Sequence, residues 1–152
     1  MENRILGLHH ITAIANKAKS NLDFYTQVLG LRLVKKTVNF DDPGTYHFYF
    51  FYETGTPGTI LTFFPWEGIG QGKNGTGLAT HIGYSVPKGS LDFWKKRFQQ
   101  SKITFEEGEI FGEKLICFKD PDGLHLQFIE SSSPDDRKIW TTDDITDENA
   151  LK

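Results

Sequence analysis

His10-Ile11-Thr12-Ala13-Ile14-Ala15, followed by Asn21-Leu22-Asp23-Phe24-Tyr25, is written a second time in this chain as His81-Ile82-Gly83-Tyr84-Ser85-Val86, followed by Ser90-Leu91-Asp92-Phe93-Trp94. Each copy opens on a histidine at the head of a strand-like run and continues into an amphipathic helix with an aromatic pair on its first turn. A repeat of this size is one supersecondary unit used twice. Equivalent histidines, His10 and His81, head equivalent strands, and the pseudo-two-fold relating the copies is expected to bring them together. Paired imidazoles supply half of a metal site.

Working outward, the first copy reads βαβββ. After the opening strand, Ser20 is an N-cap candidate with Asp23 three residues on. Leu22, Tyr25, Val28 and Leu29 mark one helical face, and Gly30 ends it. Leu31 to Phe40 is a strand, Asp41-Asp42-Pro43-Gly44 a turn, and Tyr46 to Tyr52 a strand of six aromatics and one histidine whose two faces must both be covered. Gly55-Thr56-Pro57-Gly58 turns the chain into the strand from Thr59 to Phe64. The second copy repeats the order, with Asp120-Pro121-Asp122-Gly123 before the last strand, Leu124 to Glu130. The expected architecture is α+β, with curved mixed sheets around a cavity and helices outside. The first module spans 1–66, a linker with five glycines 67–77, the second module 78–131, and an acidic extension 132–152. That extension is poor in apolar residues and is expected to dock weakly or not at all.

Composition excludes several classes. The chain has 152 residues, is 38% hydrophobic and 14% aromatic, and carries a formal net charge of -3, so it can bury a core and offers no basic stripe to nucleic acid. No apolar run reaches membrane-spanning length, and no signal-peptide pattern opens the chain. The single cysteine, Cys117, sits in an apolar strand without a flanking base and reads as an inert core thiol. A reducing, cytoplasmic location is the expectation.

Two βαβββ units headed by histidines, with the Asp120–Gly123 turn before the last strand, resemble the vicinal oxygen chelate superfamily of glyoxalases, thiol-transfer resistance proteins and extradiol dioxygenases. Leu8-His9-His10-Ile11-Thr12-Ala13, Leu31 to Asn39, Tyr46-His47 and Gly55 to Thr59 look like the subgroup of ring-cleaving dioxygenases that open hydroquinone-type aromatics. Members of that subgroup are about twice as long, and this chain resembles their first half. The resemblance implies one iron ligand at the position of His10, with the other two from the second half. The chain is then either a single-domain relative with its own site or an isolated half.

The resemblance further implies a divalent metal, Fe(II) first and Mn(II), Zn(II) or Ni(II) as alternatives, held by His10, His81 and a third residue. The superfamily's glutamate position falls on Gln127, a neutral donor. Glu130, the only carboxylate on that strand, has the wrong parity, because His125, Gln127 and Ile129 share one face and Leu124, Leu126 and Phe128 the other. His125 has the right parity but lies nearer the turn, where a solvated rim position is expected. His9 should point away from the ligand face by alternation. With Thr12 it takes a supporting role, and His9 or His47 is available as an acid/base. Tyr46, His47 and Tyr49 could line a slot for a flat ring.

The expected function is a metal-dependent ring-cleaving dioxygenase acting on hydroquinone- or catechol-type aromatics with dioxygen. The alternatives are a glyoxalase-like isomerase or thiol transferase, and a non-catalytic half that binds a small aromatic ligand. Open sheet edges and aromatic surface point to a homodimer.

Overall fold

A computed structural model of the protein describes residues 4–5, 7–51, 57–132 and 138–152. Two four-stranded sheets carry the fold. The first has β1 (His10–Ala15), β2 (Arg32–Val38), β3 (Tyr46–Phe51) and β4 (Ile60–Pro65) in the order β1-β4-β3-β2. The second repeats it with β5 (His81–Val86), β6 (Phe105–Ile110), β7 (Glu113–Lys119) and β8 (His125–Glu130) in the order β5-β8-β7-β6. In each, the first strand pairs parallel with the last and the others pair antiparallel, which is the βαβββ repeat legible in the sequence.

The helices differ in detail. Helix α1 (Ala18–Asp23) takes Lys17 and not Ser20 as its N-cap residue, and the Ser20 hydroxyl donates back to the Lys17 carbonyl at 3.1 Å from inside the first turn. It then widens into a π-helical turn, Phe24–Val28, where Leu29 N donates to Phe24 O at 3.1 Å. Helix α2 (Leu91–Gln100) starts where expected, at Ser90, but its cap is remote. The carboxylate of Glu130 accepts from Gly89 N at 2.7 Å and Leu91 N at 3.3 Å, satisfying donors at the positive end of the helix.

One core serves both modules. Tyr25 lies against Phe50 and Phe63, and Trp94 against Phe98 and Phe128. Both Tyr25 and Trp94 are fully buried, and strand alternation sends Phe48, Phe50, Leu61, Phe63, Ile116, Phe118, Leu126 and Phe128 to the helix side. The modules are also tied by polar contacts. Tyr25 Oη donates to Asp120 Oδ2 at 3.0 Å, and Asp120 Oδ1 accepts from Asp122 N and Leu124 N inside the Pro/Gly turn. Arg97 of α2 donates to the Val28 and Gln27 carbonyls at 2.7 and 2.5 Å, placing a cation where carbonyls end the first helical segment.

The described part of the extension, residues 138–152, docks firmly, contrary to the expectation from its composition. Ile145, Ala150 and Leu151 are buried in the common core. The Trp94 indole donates to Asn149 O at 2.9 Å, and Lys152 N donates to Ser85 O at 2.9 Å on the free side of β5. Gly30 turns the chain here with φ +70°, a backbone that favours glycine, and the tip of the Ile145 side chain packs over it. A few well-placed apolar residues outweigh an acidic average. The turn expected at Gly55–Gly58 lies partly outside the described residues. Among the described residues no helix is long and apolar enough to cross a membrane.

Candidate functional site

Alternation leaves each sheet one face turned away from the helices, and the candidate residues lie there. On the first sheet, β1 presents His10, Thr12 and Ile14, and their neighbours on β4 are Ile60, Thr62 and Phe64. Thr62 Oγ1 donates to Thr12 Oγ1 at 2.9 Å, so the two hydroxyls engage each other. Next along the sheet, Tyr49 is in register with Thr62, and Lys35 with Tyr49. The Lys35 ammonium stands 5.2 Å from the centre of the Tyr49 ring.

His47 sits between two aromatic faces. Its ring centre is 4.2 Å from that of Tyr49 and 4.1 Å from that of Phe64. Nδ1 is 3.0 Å from the Tyr49 hydroxyl, while Nε2 is buried without a hydrogen-bond partner. Burial, reinforced by the charges of His10 and Lys35, holds its pKa below the ordinary imidazole value, so His47 is neutral at pH 7. Tyr46 stands apart, exposed and stacked with Phe48.

His9 departs from the alternation argument because it precedes β1. Its Nδ1 is 3.0 Å from that of His10, and the rings meet edge to face at 5.2 Å and 89°. Gly58 N anchors this entry by donating to His9 O at 2.7 Å. His10 opens on a cavity of about 240 Å³ between the two modules, shared with Ile60, Gly83, Tyr84 and Ser85.

On the second sheet, His81 and His125 are register partners across parallel strands, with ring centres 4.9 Å apart. His125 is half-buried, on the face that parity gives it. Its pKa is lowered by burial first, then by the charges of Lys119 and His81, against an opposing effect of Glu106. His81 Nδ1 lies 3.0 Å from the Thr80 hydroxyl. Gln127 faces the same side as His81, in register with Gly83 and Cys117, and its amide donates to Cys117 Sγ at 3.4 Å. Cys117 is therefore a half-buried residue of the open face, not a core thiol. Strand parity placed the thiol there, and an apolar neighbourhood in sequence concealed it.

The structure thus brings His10 to His9 and His81 to His125. Among the described residues the ring contacts of His10 and His81 are with those neighbours and not with each other. Nor do three His, Cys, Asp or Glu side chains converge anywhere among the described residues. The position where a carboxylate would complete a facial iron site holds a neutral amide, and Glu130 is engaged at α2. Within one chain this donor set does not fit a two-histidine, one-carboxylate centre.

Comparison with known proteins gives a consistent picture. The family described as Glyoxalase/Bleomycin resistance protein/Dioxygenase superfamily matches residues 7–128. MhqE of Bacillus subtilis (strain 168), named by inference as a ring-cleaving dioxygenase, is 54% identical over 95% of this chain and 48% of its own length. The chlorohydroquinone/hydroquinone 1,2-dioxygenase of Sphingobium indicum is 36% identical over 100% of this chain and 49% of its own. A crystal structure of a B. subtilis protein, titled by inference a dioxygenase, superposes with a TM-score of 0.90 at 50% identity, over 97% of this chain and 47% of that one. The chain spans about half the length of these relatives.

Proposed function

The chain belongs to the Glyoxalase/Bleomycin resistance protein/Dioxygenase superfamily, and from that premise we propose that it is a module of a ring-cleaving dioxygenase acting on hydroquinone- or catechol-type aromatics with dioxygen. The observation that carries this reading is the imidazole of His47, held neutral between Tyr49 and Phe64 with Nε2 buried and unpartnered. Nε2 is closed off in this structure, so a phenolic hydroxyl, which both donates and accepts, reaches it only when the side chains around His47 move aside. Neutral His47 accepts the hydroxyl proton, Tyr49 orients the imidazole through Nδ1, and Lys35 offsets the charge that develops on the ring oxygen. The dependence on a divalent metal belongs to the same proposal. Because the chain's donors do not assemble a three-ligand centre, the roles derived for its side chains are holding the ring and handling its proton.

The test is an oxygen electrode with hydroquinone and labelled dioxygen, before and after anaerobic Fe(II) loading. Where a second copy of the chain completes the metal centre, the reading predicts oxygen uptake and a ring-opened product carrying both labelled atoms, with His47→Ala slowing it at least about a hundredfold. Loaded protein that consumes no oxygen excludes dioxygenase activity of this chain on its own. The neutral amide at Gln127 supports a second reading, a non-catalytic half that binds hydroquinone, for which binding without uptake is the signature. We extend the proposal to a homodimer in the cytoplasm. Exposed Val34 and Val38 on β2 and Ile110 on β6 mark the outer strands that a second copy would cover. A dilution-stable monomer in light scattering would remove that extension.

A further inference from the structure

We propose that His81 and His125 form a metal-binding pair of their own on the second sheet, taking a borderline transition-metal ion such as Ni(II), Zn(II) or Cu(II) independently of His10. The two residues are register partners on adjacent parallel strands, so both side chains leave the same face at the same level. Their ring centres are 4.9 Å apart. With metal–nitrogen bonds of about 2.0–2.1 Å, two imidazoles on one tetrahedral ion have ring centres roughly 5 Å apart.

Further features of the site agree. His81 Nδ1 is hydrogen-bonded to Thr80 Oγ1, which leaves Nε2 as the ligand atom and fixes the ring, as the second nitrogen of a ligating histidine is ordinarily fixed. His81 itself is exposed, so solvent or a small ligand reaches the pair from its open side, while the space over Gly83 is taken by Ile129. No carboxylate belongs to the pair. Two neutral imidazoles select ions high in the divalent affinity series, and disfavour Mg(II), Ca(II) and Mn(II).

Calorimetric titration of the untagged chain, stripped with chelator, uses Ni(II) alone as the probe. The pair predicts one Ni(II) per chain, a loss of affinity of at least about tenfold in His125→Ala, and unchanged binding in His10→Ala. Loss of binding in His10→Ala with His125→Ala unaffected would overturn the proposal, as would a wild-type chain that takes up no Ni(II). Because a half-buried histidine was replaced, the wild-type chain is also titrated with Cu(II) while its histidine ring signals are followed by NMR. Broadening of His81 and His125 ahead of His9 and His10 supports the pair, and the reverse order contradicts it. Neither readout depends on hydroquinone or dioxygen, so failure here leaves the dioxygenase reading standing, and failure of that reading leaves the pair standing.

Discussion

Tyr25 and Trp94 occupy equivalent places in the repeat, both fully buried, yet their polar tips reach different partners. Tyr25 binds the Asp120 turn of the other module, and the Trp94 indole binds Asn149 of the docked extension. The open faces diverge in the same way. The first sheet has one buried imidazole walled by aromatics, and the second has two imidazoles facing each other beside a neutral amide and a thiol. A duplicated unit has kept its helix-side packing and specialised its open face. Core positions are constrained by close packing in both copies, whereas a face turned to a cavity constrains only the chemistry placed there.

The largest expected effect comes from breaking the shared core. Trp94→Ala should cost about 3–5 kcal/mol, read from urea unfolding as a lower midpoint in one transition. Separate transitions for the two modules would show that the core is not common. Tyr25→Phe should cost about 1.5–3 kcal/mol, because it strips a hydrogen bond from the buried Asp120 carboxylate. Gly30→Ala should cost roughly 1–3 kcal/mol from the left-handed backbone alone. Glu130→Ala, which unties the start of α2 without touching either open face, should cost about 1 kcal/mol and leave ligand binding intact.

The pH dependence separates the faces from the core. Folding lowers the His47 pKa, so the unfolded chain binds the proton more readily. That contribution is complete above the ordinary imidazole range and is lost as pH falls through it toward the lowered value. Asp120 has the opposite sign. Burial raises its pKa, so stability declines as pH rises from the ordinary carboxylate range through the raised value. Asp120→Asn should remove the second slope and His47→Leu should reduce the first, as measured by thermal melts across pH, the remainder belonging to His125, whose pKa is lowered as well. A first slope unchanged in His47→Leu would assign it away from His47.

Much of this was legible in the sequence because periodicity speaks directly of faces. The two repeats gave the strand order, the core aromatics and the opposed sides of Gln127 and Glu130, since a period of two leaves no freedom once the turn is placed. What the sequence did not disclose came from contacts between segments distant in the chain. Ser20 had the chemistry of a cap, but helix α1 began two residues before it. Glu130 caps a helix 39 residues earlier, a relation no local pattern carries. The extension looked too acidic to dock, yet the tip of Ile145 packs over Gly30. Nearness to the turn marks His125 as a rim residue, and its neighbour across the parallel pair, His81, lies 44 residues away, so no local pattern announces the pairing.

On the proposed reading the aromatic ring binds at the face of the first sheet, against His47, and not at the imidazole pair of the second. Anaerobic titration with hydroquinone, followed through the histidine ring signals by NMR, separates the two. Saturable shifts are expected at His47 with His81 and His125 unmoved, and they should be lost in Phe64→Ala. Shifts at His81 and His125 with His47 unmoved would place the ring on the second sheet instead.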